Sequence, residues 1–423
     1  MIARILYYYY KTLWLKHSLK TREQLNAYQE KQFKKLTKST LAQSPFYQPY
    51  IGKPLLEWPI MNKKLMMEHF NQINTVNLTK EHAMDIALNA EQTRDFSPLI
   101  QRISVGLSSG TSGSRGLFLA DPRERDAWAG IILAKALPNG LRTDERIAFF
   151  LRANNNLYTT LNKSKKIQFH FFDLLLNFDE HITRLNAVQP TILSAPASVL
   201  LLLAREKKRL TIKPHKIYSV AEVLEQEDET LISEAFHCPV SQIYQCTEGF
   251  LAISDKHSNQ LTMNEEFLII EKEWLDESRF VPIITDLMRT TQPIIRYRLD
   301  DVLIAKKSNK IFTELRAIEG RMGDICYGQQ NQQRIPIFAD ILRQQMASSA
   351  IEFEDYQICQ QTLDEFSIQV EPGPVDKEQL IHHLNELFRQ KNCTTPNWRW
   401  EPFVKRESGI KRRRIQSNLT VYR

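Results

Sequence analysis

The sequence predicts an α/β protein: a large N-terminal domain of layered α/β subdomains followed by a small C-terminal α+β domain. Three observations carry that expectation. At 423 residues the chain is longer than one hydrophobic core usually serves. Between residues 117 and 244, strand-like apolar runs alternate with helical stretches, the pattern of parallel βαβ units. Beyond Gly320 the pattern changes to helix, strand, strand and helix, which is enough for a separate unit. The expected domains are 1–319 and 320–423.

In chain order, residues 1–17 form an amphipathic helix in which Ile2, Ile5, Leu6, Tyr7, Tyr8, Tyr9, Tyr10, Leu13, Trp14 and Leu15 alternate with Arg4, Lys11 and Lys16. It is too short to span a bilayer, and no small-residue cleavage site follows. Such a helix could lie in a membrane interface or pack on the protein's own body. A charged helix is expected over 19–41, closing at Ser44-Pro45-Phe46-Tyr47, with further helices at 62–72 and 80–88. After a strand-like lead-in at Val105 come helix 126–137, strand 146–152, helix 155–162, strand 167–172 and helix 174–188. Strand 191–194, helix 197–208, strand 216–220, helix 227–236 and strand 242–244 continue the alternation. A β-rich stretch follows at 267–271, 281–287, 294–298 and 302–305. The last unit reads as helix 337–346, strands 354–360 and 366–370, helix 377–391 and a basic tail.

The net charge of +7 is unevenly spread. Residues 1–38 hold nine Lys/Arg against two Asp/Glu, and residues 399–423 hold eight against two, which leaves the interior at −6. Basic ends of this kind suit an anionic ligand or a membrane surface. Nucleic acid is not expected, because no recognised binding module is present. The five cysteines are scattered with no Cys-x-x-Cys pair, which argues for a reducing compartment and against a zinc site or a disulfide framework.

Four segments carry candidate chemistry. Ser108, Ser109, Gly110, Thr111, Ser112, Gly113, Ser114, Arg115 and Gly116 form a loop between apolar runs. Glycines allow close backbone approach, and successive N–H groups with hydroxyls make a concave anion site. It lacks the Gly-Lys-Ser/Thr of a Walker A loop. The second segment runs from Tyr218, Ser219, Ala221 and Glu222 to Tyr244, Gln245, Cys246, Thr247, Glu248 and Gly249. The third is Arg296-Tyr297-Arg298-Leu299-Asp300-Asp301, followed by Gly320-Arg321-Met322-Gly323-Asp324. The fourth is Ser408-Gly409-Ile410-Lys411-Arg412-Arg413-Arg414-Ile415. Tyr244 could present a flat face to a purine, and Glu248 could hold a hard cation against phosphate oxygens. Asp301 could accept from a ribose diol. Arg321 and Lys411 could neutralise charge developing in a displacement. Both the Ser/Gly/Thr loop and the polar stretch after Tyr244 are expected at carboxyl ends of strands of the parallel sheet, where α/β proteins bind ligands.

In this order and spacing the set resembles the adenylate-forming superfamily of acyl-CoA ligases, peptide-synthetase adenylation domains and luciferases. The branch it is most similar to is the short phenylacetate–CoA ligase group, which includes deazaflavin-adenylating synthetases. Ser-Ser-Gly-Thr-Ser-Gly resembles that family's phosphate loop, Ala221-Glu222 with Tyr-x-x-Thr-Glu at 244–248 its adenine and magnesium motifs, Tyr-Arg-Leu-Asp-Asp at 297–301 its ribose motif, and Gly-Arg at 320–321 its hinge. The resemblance spans essentially the whole chain. It implies a mobile C-terminal lid, ATP and Mg2+ as reactants, and a carboxylic acid activated to an acyl-adenylate before transfer to CoA or an acyl carrier protein. Lys411 becomes the catalytic lysine, with Arg412 the second choice. The family's Lys-Pro after the loop is Ser114-Arg115 here, its hinge Asp is Gly323 beside Asp324, and Lys411 follows Ile410 rather than Gly. Those departures leave open two alternatives: adenylyl transfer to an acid-bearing cofactor, and a non-catalytic relative that binds nucleotide or carrier protein. The acid pocket is expected among Phe169, His170, Phe171, Phe172, Tyr218, Ser219, Gln245 and Cys246, and aromatics there suit an aromatic or apolar acid. The expected compartment is the cytoplasm, with residues 1–17 the segment that could meet the inner face of a membrane.

Overall fold

The computed structural model describes residues 1–93, 95, 99–100, 102–107, 116–151, 166–174, 176, 178–321, 324–349, 351, 353–371, 376–404 and 413–419. The chain forms two compact units, one of Met1–Leu299 with Ile304–Ala317 and one of Asp300–Leu303 with Ile318–Arg423.

The N-terminal unit opens with α1 (Ile2–Ser18) and α2 (Arg22–Ser39), separate helices because Leu19 leaves the helical region and the Thr21 hydroxyl caps α2 by accepting the Gln24 N–H. Short helices α3 (Lys63–Glu68) and α4 (Phe70–Ile73) precede α5 (Lys80–Thr93). Strands β1 (Ser104–Leu107) and β2 (Leu117–Ala120) then pair antiparallel, with Leu107 opposite Leu117. The expectation that the Ser/Gly/Thr loop follows a strand of the parallel sheet is therefore corrected. Its flanks are the two arms of a separate hairpin, which needs no crossover helix. Gly106 permits the pairing, since a Cβ there would run into the Phe118 ring.

Helix α6 (Pro122–Ala136) starts four residues earlier than periodicity suggests. Asp121 and Glu124 form a capping box around Pro122. The main sheet follows: β3 (Glu145–Leu151), β4 (Ile167–Asp173), helix α7 (Phe178–Val188), β5 (Ile192–Pro196), helix α8 (Ala197–Arg205), β6 (Lys216–Val220), helix α9 (Gln226–Phe236), β7 (Val240–Cys246), β8 (Gly249–Ser254) and β9 (Leu261–Met263). The order is β4-β3-β5-β6-β7-β8-β9, parallel through β7 and antiparallel beyond it. The helix expected over 155–162 lies outside the described residues.

One face of this sheet packs Phe150, Phe172, Leu193 and Ile217 against Leu185 of α7, Leu200 and Leu203 of α8 and Ile232 of α9. The other face packs Ile147, Ile167, Ile192 and Tyr218 against Tyr9 of α1 and Ala129 and Leu133 of α6. The result is three layers, helix–sheet–helix. Helices α1 and α6 approach closely because position 130 is glycine; any Cβ there would strike the Ile5 carbonyl and Tyr8. Strands β10 (Leu268–Trp274) and β11 (Arg279–Asp286) form a second, antiparallel layer to which the short β12 (Tyr297–Arg298) adds. Only those last two residues of the expected strand 294–298 are extended in a ladder. Strands β13 (Asp301–Ala305) and β14 (Leu315–Arg321) carry the chain from one unit to the other.

The C-terminal unit adds a hairpin, β15 (Cys326–Gln330) with β16 (Gln333–Ile337), then α10 (Ala339–Ala347), β17 (Asp355–Gln360), β18 (Glu365–Glu371), α11 (Lys377–Gln390), β19 (Asn397–Trp400) and β20 (Ile415–Ser417). Its sheet runs β19-β18-β17-β20. The described part of the basic tail joins the sheet. Ile415–Ser417 pair in parallel with β17, and Ile415 is buried with Phe366, Leu384 and Phe388.

Candidate functional site

The turn between β7 and β8 places Thr247 and Glu248 side by side, with the Thr247 hydroxyl donating to the Glu248 carboxylate at 2.8 Å. Both line a small, open cleft whose other walls are Met66, Met67, Gly116, Leu117, Phe118, Arg289, Gln292, Ile294 and Tyr297. Four sequence segments thus meet in one cavity: helix α3, the second arm of the hairpin, the β7–β8 turn and the stretch 289–297. Most of the wall is apolar, with a few convergent polar groups, the usual make-up of a small-molecule site.

Sequence reasoning missed the residues that assemble this cleft. The Arg289 guanidinium donates to the Thr247 carbonyl and to the Leu119 carbonyl, each at 3.1 Å, and so ties the β7–β8 turn to strand β2. Its Nε is buried with no hydrogen-bond partner among the described residues. Gln292 pins the same strand by accepting the Leu119 N–H at 2.9 Å and donating to the Leu117 carbonyl at 3.2 Å. Glu124, in the first turn of α6, is buried and accepts from the backbone N–H groups of Asp121, Thr290 and Thr291 and from the hydroxyls of Thr290 and Thr291. Beneath them Asp286 accepts the N–H groups of Met288 and Arg289. Burial pushes its carboxyl up to about 6, against the downward pull of Arg289 and those two N–H donors.

Ala221 and Glu222, expected from the sequence to border an adenine, follow the neighbouring strand β6. Ala221 follows β6 with φ 64°, in the left-handed region a non-glycine residue rarely adopts. The Glu222 carboxylate accepts the Ser198 N–H at 2.9 Å, capping the first turn of α8. Tyr244 is buried in β7. Arg296 and Arg298 are bound to Glu271 and Glu273 of β10, so of the Arg-Tyr-Arg run only Tyr297 faces the cleft.

The expected acid-pocket residues divide. Phe172 and Tyr218 are core; Phe172 stacks on Phe150 at 4.6 Å, and the Tyr218 hydroxyl donates to the Ala136 carbonyl. Ser219 is buried with its hydroxyl unpartnered among the described residues. Phe169, His170 and Phe171 lie half-buried on the edge strand β4, while Gln245 and Cys246 are half-buried on β7. Burial, with Arg184 and Arg146 nearby, pushes the His170 imidazole below its ordinary range.

In the C-terminal unit, Arg321 Nε stands 3.9 Å from the Asp301 carboxylate. Asp324 accepts the Arg321 N–H at 2.8 Å and binds the guanidinium of Arg413 through Nε at 2.9 Å and through Nη2. Gly320, at φ 146°, leaves the room that this carboxylate occupies. Arg414 pairs with Asp355 at 2.9 Å and lies over the Tyr356 ring. Ser108, Ser109, Gly110, Thr111, Ser112, Gly113 and Arg115 of the loop lie outside the described residues, as do Gly323, Lys411 and Arg412.

The architecture is the adenylate-forming ligase fold. It is similar to 2-hydroxyisobutyryl-CoA ligase in the postadenylation state with 2-HIB-AMP, at a TM-score of 0.66 and 14% identity over 94% of this chain and 90% of that one. The amide bond synthetase McbA from Marinactinospora thermotolerans (TM-score 0.53, 11% identity, 72% of this chain and 66% of that one) shares the fold. So do fatty acyl-adenylate ligases from E. coli and L. pneumophila (0.53, 13%, 74% and 68%). Among curated proteins, Protein CapK of Staphylococcus aureus is 29% identical over 129 residues, a match spanning 30% of this chain and 29% of CapK. No protein-family model matches the chain. No helix among the described residues is long and apolar enough to cross a membrane.

Proposed function

We propose that this protein activates a carboxylic acid with ATP, releasing pyrophosphate, and passes the acyl group to a thiol such as that of CoA. The observation that carries this reading is the meeting of Thr247, Glu248 and Tyr297, three motif positions from distant parts of the sequence, in one largely apolar cleft of that ligase fold. In the first step the acid's carboxylate oxygen attacks the α-phosphorus and the bond to pyrophosphate breaks. In the second the thiolate attacks the acyl carbon and AMP leaves. Neither step needs a nucleophilic side chain from the protein, only positioning and charge neutralisation.

Glu248 offers the hard oxygen that suits Mg2+, and Thr247 orients it. A cation held by this carboxylate together with substrate phosphates would screen their charge. Met66, Met67, Phe118 and Ile294 support an aromatic or otherwise apolar acid. The Ser/Gly/Thr loop at 108–115 would cradle the phosphates, Asp301 the ribose, and Lys411 with Arg321 the charge developing at the α-phosphate. The nucleotide base would lie by Ala221, Glu222 and Tyr244. In this reading the two units act as a large nucleotide-binding domain and a lid, and the branch is that of the phenylacetate–CoA ligases.

The test is pyrophosphate release with ATP, Mg2+ and a panel of aromatic and aliphatic acids, trapped with hydroxylamine. Release that depends on apolar acids is the expected result. A hydroxamate confirms acyl activation, whereas an adenylated product of higher mass would mean AMP transfer to the acid-bearing substrate instead. ATP binding without pyrophosphate from any acid would overturn the reading in favour of a non-catalytic relative.

A further inference from the structure

Helix α1 presents two apolar faces. One is buried: Tyr9 and Leu15 are core residues, and Ile5, Tyr8 and Leu13 pack beside them against α6 and the main sheet. The other faces solvent. Trp14 is 62% exposed, Tyr10 61%, Ile2 61% and Tyr7 59%, and Leu6 joins them. At 3.6 residues per turn these five positions fall on one continuous stripe. Membrane contact and packing on the body are not exclusive here: the helix does the second and leaves a full face for the first. A surface helix of a soluble domain is ordinarily polar on its outer side. This one is apolar on both.

The charges around the stripe name the medium it meets. Helix α1 contains no Asp or Glu. Its cations at the flanks hold it to the body, Arg4 on Asp126 at 3.0 Å and Lys16 on Asp255 at 2.8 Å, so the exposed face is fixed in place rather than free to peel off. Beside it, Lys11 lies over the Tyr8 ring and feels the charge of Lys35 on α2. Lys31, Lys35 and Lys38 are exposed along that helix and carry no ion pair among the described residues. Tyrosine and tryptophan rings with polar tips on a helix without acids, bordered by lysines of α2 that outnumber its Glu23 and Glu30, are the composition that settles at the headgroup level of an anionic bilayer.

We infer that α1 docks this protein onto anionic lipid surfaces through Ile2, Leu6, Tyr7, Tyr10 and Trp14, with the lysines of α2 supplying the charge. The surface is independent of the proposed reaction, and it would place the N-terminal unit against a membrane without any segment crossing it.

The experiment is flotation of the full chain with vesicles of phosphatidylcholine containing one-third phosphatidylglycerol, and with phosphatidylcholine alone. Binding to the anionic vesicles that weakens with added KCl is expected. Tyr7→Ser/Tyr10→Ser/Trp14→Ser should lower it at least tenfold, and each of Lys31→Glu and Lys35→Glu should lower it about fivefold. The replaced side chains are exposed, so melting temperature and circular dichroism should not move. Absence of flotation by the wild type, or equal flotation of the triple variant, would overturn the inference. So would a wild-type dimer that the triple variant turns into a monomer without any vesicle binding, because the face would then be an interface between copies.

Discussion

The cleft of the N-terminal unit and the clamp of the C-terminal unit are fastened in different ways. Around the cleft, buried side chains reach backbone. Arg289 holds two carbonyls, Gln292 holds the Leu119 N–H and the Leu117 carbonyl of strand β2, and Glu124 holds the N–H groups of 290 and 291. In the C-terminal unit, the clamp is one buried carboxylate, Asp324, that holds one backbone N–H and one guanidinium whose side chain is 26% exposed and so reaches water. Backbone-directed bonds in a buried setting fix a segment's path, and breaking them strands groups that cannot reach water. A partly exposed ion pair contributes little stability and is screened by salt. The first arrangement suits a wall that must stay in place; the second holds its segment less firmly.

The largest expected effect comes from breaking the wall. Glu124→Ala strands the Thr290 and Thr291 N–H groups together with the Asp121 N–H of the capping box, and should cost about 3 kcal/mol or more of stability in the N-terminal unit. Proteolysis or calorimetry that resolves the two units separately would read it. Equal loss in both units, or none in the first, would mean that Glu124 is not the fastener.

A titration sharpens the same contrast. Asp286 has its carboxyl raised to about 6 against an ordinary 3.8. A raised carboxyl stabilises the fold below its unfolded value and loses that contribution as pH rises through the folded one. Wild type should therefore weaken relative to Asp286→Asn between pH 4 and pH 7, by up to about 3 kcal/mol. Asparagine keeps the acceptor for the Met288 and Arg289 N–H groups, so the variant isolates the charge. Denaturant midpoints measured across that range check it, and a constant difference between the two proteins would contradict a buried neutral acid.

Much of the fold is legible in the sequence because its signals are local. The runs at 147–150 and 216–220 are apolar enough to read as buried parallel strands. The Asp121-Pro122-Arg123-Glu124 start of α6 was equally available, as a capping signature. The hairpin 326–337 escaped because its turn side, Gln329 to Arg334, is polar throughout. The cleft escaped in part for a different reason. Thr247, Glu248 and Tyr297 are visible as motif positions, but Arg289 and Glu124 act on residues 42 to 170 positions away, and no periodicity encodes such pairings. What the sequence does offer is the polar run Arg289-Thr290-Thr291-Gln292 between apolar strands, which has no reason to exist unless its side chains are used.

The smallest expected effect is the most informative about the clamp. Arg413 begins the described stretch leading into β20, so the Asp324–Arg413 pair fixes how that stretch enters the sheet. Asp324→Asn retains an acceptor for the Arg321 N–H but discharges the partner of Arg413, and should lower stability by no more than about 1 kcal/mol. Under the proposed reaction its consequence should appear in turnover instead, as a several-fold loss of acid-dependent pyrophosphate release that high salt reproduces in the wild type and scarcely deepens in the variant. A double-mutant cycle with Arg413→Gln separates position from charge. Coupling near 1 kcal/mol in turnover, with little in melting, would mark the pair as a positioning contact for the chain that enters β20. Strict additivity would mean that Asp324 serves only the turn at Arg321, and the clamp would then be a cap and nothing more.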